Sequence, residues 1–289
     1  MSGASFPVAP LAALDTVWIQ VAGTLCNLAC THCFISCSPA NDAHGMMPLA
    51  DVVRVLDEAE RLGAKEYYLT GGEPFLNRDI LAILEAALAK GPVSVLTNGV
   101  LIRPDTARSL KALSDASEYS LDLRVSLDGW DAATNDAVRG AGTFERILAG
   151  ARNLAAEGLN PVITVTEVVD GAGTREGRAH FLAFLRQIGL SQPRLKVMPL
   201  LRLGAEEKRL RGYAPDETLE GRTLTPEDLE ALQCSSSRMV TSKGAYVCPI
   251  LIDADDARMG ATLSDTLRPF TLSHRACFTC QEFGLSCRT

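Results

Sequence analysis

The chain of 289 residues is predicted to fold as an α/β protein with a parallel sheet, followed by a smaller C-terminal segment of different character. Two observations predict this. Up to about residue 200, short β-branched runs alternate with amphipathic runs at helical spacing, the pattern of strands joined by crossover helices. The nine cysteines fall into two groups, Cys26, Cys30, Cys33 and Cys37 near the start and Cys234, Cys248, Cys277, Cys280 and Cys287 near the end, with none between them. An odd number does not make a complete disulfide framework, and the grouping points to two separate metal sites.

The elements follow in order. Val17–Val21 is an apolar strand. Pro48–Leu62 places Leu49, Val52, Val53, Leu56 and Ala59 on one helical face, and Gly63 stops it. Glu66–Thr70 is the second strand, Asp79–Ala89 the second helix, ended by Gly91-Pro92. Val93–Thr97 and Pro104–Leu113 make the third pair. Leu121–Leu127 is the fourth strand, and Thr143–Glu157 a helix with Thr143 as its expected N-cap. Val162–Val169 is β-branched nearly throughout, as a strand buried on both faces should be. Arg175–Ile188 is a helix and Leu195–Leu200 the sixth strand. Right-handed crossovers then give a six-stranded parallel sheet.

The first strand runs into Cys26-Asn-Leu-Ala-Cys30-Thr-His-Cys33. A thiolate-held iron–sulfur cluster normally takes four cysteines, so three at this spacing suggest an iron left open to a small molecule. The spacing alone also suits a zinc knuckle or buried structural thiols. The next βα unit adds Thr70-Gly71-Gly72-Glu73-Pro74, where two glycines permit close backbone approach and a carboxylate suits an ammonium; by itself it is also a tight strand-to-helix turn. The third strand ends in Thr97-Asn98-Gly99. The fourth ends in Ser126-Leu127-Asp128-Gly129, with Asp136, Arg139-Gly140 and Gly142-Thr143-Phe144 following.

Together these motifs resemble those of the radical S-adenosylmethionine (SAM) superfamily. The resemblance implies a partial (β/α)6 TIM-like barrel with sites at the C-terminal strand ends. It also implies that Cys26, Cys30 and Cys33 hold a [4Fe–4S] cluster whose fourth iron is chelated by SAM. Gly71, Gly72, Glu73 and Pro74 would then meet the methionine amino group, Asn98 would stand at the rim, and Ser126 and Asp128 would face ribose or substrate. Arg139 would pair with the SAM carboxylate, as a guanidinium fork suits, and Met198 would pack near adenine. Each position has a plainer reading: a turn residue for Asp128, a surface ion pair for Arg139, ordinary core for Met198. His32 stands where the family often has an aromatic side chain by SAM; His44, His180 and His274 read as structural or solvated. The family's chemistry is reductive cleavage of SAM to a 5′-deoxyadenosyl radical that abstracts a substrate hydrogen, fed by an external donor such as flavodoxin or ferredoxin.

The tail changes character near residue 205, which divides the chain into residues 1–204 and 205–289. Glu206–Thr223 is charged and reads as a linker or mobile loop. Thr225-Pro226-Glu227-Asp228 is a helix start that delivers Cys234. Met239–Pro249 reads as a hairpin turning at Lys243-Gly244, and Cys277-Phe-Thr-Cys280 and Cys287 follow. This resembles the Twitch or SPASM auxiliary-cluster domain, a β-hairpin plus helix. A full SPASM domain has seven cysteines and this tail has five, which implies one auxiliary [4Fe–4S] cluster. Cys234, Cys248 and Cys280 are the expected ligands, with Cys277 ahead of Cys287; a four-cysteine zinc site is the alternative. Cys37 is expected to be an unliganded thiol in the first loop.

A net charge of −7 gives no broad positive footprint for nucleic acid. No apolar run is long enough to span a membrane and the N-terminus lacks a signal peptide, so a cytoplasmic enzyme is expected. The expected reaction is oxidation or cross-linking of a small metabolite or a peptide, with the auxiliary cluster accepting or relaying an electron. Only the residues before Val17 precede the first strand, so an N-terminal peptide-binding domain is not expected. The competing reading is a non-catalytic iron–sulfur or zinc protein for electron transfer or binding, which would have no use for Gly71-Gly72-Glu73-Pro74.

Overall fold

The computed structural model describes residues 5–284. Its parallel strands are β2 (Thr16–Gln20), β3 (Glu66–Thr70), β4 (Val93–Thr97), β5 (Leu121–Ser126), β6 (Val162–Thr166) and β7 (Arg194–Met198), after a short β1 (Val8–Ala9). Helices α1 (Leu49–Arg61), α2 (Ile80–Leu88), α3 (Pro104–Ala116), α4 (Ala132–Arg139), α5 (Thr143–Ala156) and α6 (Arg175–Gln187) connect them. The strands pair in chain order from β2 to β7, all parallel. The expected α/β fold is therefore present, with element ends moved by a few residues.

Period-two alternation separates the two faces of this sheet. Val17, Ile19, Leu69, Val95, Val125 and Val165 join the helix residues in the main core. The opposite face carries Trp18 and Tyr68, stacked with ring centroids 4.4 Å apart, and the Arg124 guanidinium lies 5.0 Å from the Tyr68 ring centroid. Trp18 and Tyr68 pack there in a second apolar cluster with Met239, Tyr246 and Ile252. The expected N-cap of α5 is corrected: Gly142, left-handed at φ 71°, holds that position, and Thr143 is already helical. Asp136 accepts from the N–H groups of Gly142 and Phe144 and so serves the helix start instead.

The tail supplies α7 (Gly204–Arg209), α8 (Pro226–Ala231), β8 (Ser237–Thr241), β9 (Gly244–Tyr246), β10 (Arg258–Gly260), β11 (Phe270–Thr271) and α9 (Arg275–Phe283). Part of the expected linker is thus the helix α7, whose Glu206 is fully buried and paired with Arg209. The capping box at Thr225 forms as expected. The hairpin also forms, and its first strand adds parallel to β2, with Met239 beside Trp18. Among the described residues the sheet therefore has nine strands, running β10-β9-β8-β2-β3-β4-β5-β6-β7. Among the described residues β10 and β7 remain its two edges, so the barrel is open. β1 pairs with β11, tying the start of the chain to the tail.

Candidate active site and cysteine centres

The first cysteine loop leaves the C-terminal end of β2 and lies across the rim. Gly72 N–H donates to Gly23 O at 2.8 Å and Glu73 N–H to Leu25 O at 3.1 Å, so the Gly-Gly-Glu-Pro turn is stitched to this loop. A Cβ at Gly72 would sit 2.1 Å from Leu25 O. The close approach made possible by Gly72 is therefore to the loop that carries Cys26.

Glu73 is fully buried. Its Oε1 accepts from Thr97 Oγ1 at 2.7 Å and Phe75 N–H at 3.1 Å, and its Oε2 from Asn98 N–H at 2.8 Å. Burial raises its carboxyl to about 7 against these three donors. The carboxylate braces the end of β3 against the end of β4. Asn98 in turn donates through Nδ2 to Asn27 Oδ1 at 2.8 Å, and lies 3.7 Å from Cys26 Sγ.

Cys26 Sγ also accepts Leu28 N–H at 3.4 Å, and Cys33 Sγ accepts Cys37 N–H at 3.3 Å. Burial pushes Cys26 up to about 12 and raises Cys30 as well. The Cys37 thiol, hydrogen-bonded to Cys33, favours the Cys33 thiolate. Cys37 itself is buried in the loop.

Beyond Cys30 lies a buried charged cluster. Asp128 Oδ2 is 2.6 Å from Arg139 Nη2 and 2.8 Å from His32 Nε2, and Oδ1 accepts Thr166 N–H at 2.7 Å. Burial alone would raise Asp128, but Arg139 and His32 overcome it and hold the carboxyl well below the usual range. Thr31 N–H donates to Val138 O at 2.8 Å, fastening the cysteine loop to α4. Ser126 ends β5 beside Thr164 in register, and Met198 ends β7 and packs against the tail core. The expected rim residues are thus brought to one end of the sheet. The His32–Asp128–Arg139 contact was not visible in the sequence, where α4 carries no apolar stripe of its own.

The donor set suits an iron–sulfur cluster with a polar ligand beside it. Three cysteines share one loop, two of their sulfurs already accept N–H groups, and Asn27 Nδ2 and Arg139 Nε are buried donors without partners nearby, as is the ring nitrogen Nδ1 of His32, whose Nε2 faces Asp128. Unpartnered buried donors are costly and are normally satisfied by a bound group.

The second set gathers elsewhere. Cys234 lies in the turn before β8, Cys248 follows β9, and Cys277 and Cys280 stand three apart on α9, hence on one face. All four line a single cavity with Leu232, Ile250, Leu251 and Leu272. Burial pushes Cys234 and Cys248 up to about 12 and Cys277 well above the ordinary thiol value. Cys287 lies outside the described residues. Among the described residues no three His, Cys, Asp or Glu side chains converge to hold a single metal ion. No described helix is long and apolar enough to cross a membrane.

Comparison with known proteins bears on the family and the fold. Mycofactocin maturase MftC of Mycobacterium ulcerans (strain Agy99) is 40 % identical over 134 residues, 46 % of this chain and 34 % of the maturase. GTP 3′,8-cyclase of Synechococcus sp. (strain CC9902) is 33 % identical over 224 residues, 73 % of this chain and 60 % of the cyclase. The chain thus spans about a third of one relative and three fifths of the other. Streptococcus suis SuiB bound to S-adenosylmethionine superimposes with a TM-score of 0.64 at 18 % identity, over 85 % of this chain and 63 % of that one. Native anSMEcpe with bound AdoMet and Cp18Cys peptide gives 0.60 at 17 % identity, over 87 % and 79 %. These two share the fold. The sequence model for the radical SAM superfamily matches residues 21–185, over half of the chain and from the end of β2 to α6; the chain belongs to that superfamily.

Proposed function

We propose that this radical SAM enzyme oxidises or cross-links a peptide, using one auxiliary [4Fe–4S] cluster in its tail. Residues 1–204 would form the catalytic barrel and residues 205–289 the auxiliary segment. The observation that carries the reading is the presence of two separately gathered cysteine sets, one on the rim and one around the tail cavity. Cys26, Cys30 and Cys33 would hold the first cluster, and Cys234, Cys248, Cys277 and Cys280 the second. When bound, the first cluster and SAM supply one-electron reductive cleavage and hydrogen-atom abstraction.

The chain's own residues would position these groups. The backbone of Gly71, Gly72 and Pro74 presents the turn beside the cysteine loop, with Glu73 and Asn98 fixing that turn from behind. Arg139 keeps Nε unpartnered while Asp128 holds Nη2, which leaves one arm for a carboxylate. Ser126 and Met198 would face SAM from neighbouring strand ends. Zinc would draw four thiolates to about 2.3 Å from one centre. Ligands of a cluster each hold a different iron, which suits cysteines spread around a cavity.

A peptide substrate is supported by the maturase named above and by the peptide held in the anSMEcpe structure. An external flavodoxin- or ferredoxin-like reductant would supply the electron, and a cytoplasmic setting suits such chemistry. A small metabolite is the second reading, favoured by the cyclase relative.

Metal analysis after anaerobic reconstitution tests the assignment. About eight irons per chain are expected, and about four when Cys26, Cys30 and Cys33 are changed to Ala. One zinc with four irons would refute the auxiliary cluster. The reduced protein should form 5′-deoxyadenosine, and Cys30→Ala should not. Removing Cys234 and Cys280 should spare SAM cleavage and stop product formation from a peptide library.

A further inference from the structure

Arg238 is among the largest fully buried side chains, at 1 % exposure on β8. Its donors reach only backbone carbonyls: Nε to Thr266 O at 3.0 Å, Nη1 to Cys234 O at 2.6 Å and Ser237 O at 2.7 Å, and Nη2 to Arg268 O at 3.1 Å. Arg139 and Arg209 meet buried carboxylates, but among the described residues no Asp or Glu forms an ion pair with Arg238. Carbonyls take four of its five hydrogens without cancelling its charge, and a buried charge lacking a counter-charge is costly. The guanidinium holds the carbonyl of Cys234, one of the four cysteines around the tail cavity. Any metal–thiolate group with four cysteine ligands is anionic there, because the thiols bind deprotonated.

We propose that Arg238 is the built-in counter-charge of an anionic iron–sulfur thiolate group held by Cys234, Cys248, Cys277 and Cys280, and raises that group's reduction potential. The proposal rests on the auxiliary-cluster reading above. A positive charge fixed behind the cavity wall favours the more negative, reduced state, since net charge and hydrogen bonding set cluster potentials. Arg238 is a positioning residue: it acts through the cysteines and makes the tail site a better electron acceptor. It also joins the Cys234 turn to the loop at 266–268, so charge and bracing have to be separated.

The test uses the full chain with Cys26, Cys30 and Cys33 changed to Ala, reconstituted with iron and sulfide so that only the tail site reports. Arg238→Lys keeps the charge with fewer donors, and Arg238→Gln keeps donors without the charge. Iron content and an EPR-monitored redox titration are read for each, with circular dichroism to verify folding. The Lys variant should load iron at the parent's potential, and the Gln variant should titrate at a more negative potential or fail to load. A loaded Gln variant at the parent's potential overturns the proposal. So does loss of iron from the Lys variant while folding is intact, which would make Arg238 a brace alone. A parent that binds no iron, or binds zinc, fails earlier and at the auxiliary-cluster reading itself.

Discussion

Gly72→Ala tests whether the Gly-Gly-Glu-Pro turn is built around the cysteine loop. The added Cβ would meet Leu25 O at 2.1 Å and Cys26 N at 2.8 Å, both backbone atoms with no rotamer to escape by. Restoring an ordinary 3.4 Å contact needs a retreat of about 1.3 Å. That breaks the Gly72–Gly23 and Glu73–Leu25 hydrogen bonds, now 2.8 and 3.1 Å long. Overpacking costs about 1–3 kcal/mol and each lost backbone bond about 1 kcal/mol, so the total is about 3–5 kcal/mol. For a chain of this size the melting temperature should fall by about 10 °C. Gly63→Ala is the control, and a severe one: Gly63, unlike Gly72, has a positive φ, 88°, that strains any side chain, but nothing stands within 4 Å of its added Cβ. Thermal melts and iron content of the two variants are compared after reconstitution. Gly72→Ala should melt well below Gly63→Ala and lose iron from the first site. Equal melting temperatures with full iron would refute the argument that Gly72 exists for the loop.

Other perturbations follow from the same geometry. Asp128→Ala leaves Arg139 buried without its carboxylate and should cost about 3–5 kcal/mol by denaturant unfolding. Because folding depresses the Asp128 pKa, its stabilisation is complete above the ordinary aspartate range and is lost as pH falls below it; Asp128→Asn should flatten acid unfolding there. Glu73→Gln keeps one acceptor oxygen but turns an NH2 donor toward a backbone N–H that the carboxylate now accepts, so it should lose melting temperature and SAM affinity together, and Glu73→Ala more of both; a fall in affinity alone would assign the carboxylate to SAM directly. Burial lowers the His44 pKa, so its contribution is full above the ordinary value of about 6.5 and fades as pH falls; His44→Gln should show a flatter stability profile between neutral and mildly acid pH.

The parallel strands were legible because their outward faces must be apolar to seat helices, and that demand writes a period into the sequence. Residues at strand ends were legible for a related reason, since rim positions follow once the strands are placed. Long-range partners were not. Nothing near Met239 indicates that it will lie beside Trp18, because strand addition uses backbone groups common to all residues. Glu206 hid α7, for a buried carboxylate satisfied by Arg209 looks like linker charge when read alone. Thr143 had the composition of an N-cap, but Asp136, seven residues earlier, accepts from the N–H groups of Gly142 and Phe144, and Thr143 is taken into the helix. Glycine at Gly72 was read as room for a ligand. Its actual neighbour is Leu25, and no local pattern distinguishes a gap kept for a cofactor from one kept for another stretch of backbone.

The way the tail joins the sheet bears on how its cysteines are to be studied. β8 pairs along β2, the strand that launches the first cysteine loop. His44, from the end of that loop, meets Thr241 Oγ1 through Nδ1 at 3.0 Å, and Gly45 N–H donates to Ser242 Oγ at 2.8 Å. On the other side Ala205 N–H donates to Cys33 O at 3.0 Å. The loop is thus held near its end and at its middle by residues beyond 204. Truncating the chain near residue 204 would expose the edge of β2 and release Cys33, so a truncated barrel lacking activity would say nothing about electron transfer. Point changes at Cys234 and Cys280 leave these contacts in place. A variant of that kind that keeps its melting temperature and forms 5′-deoxyadenosine without product isolates the redox role; one that melts early and loses both activities has lost the scaffold of the first site.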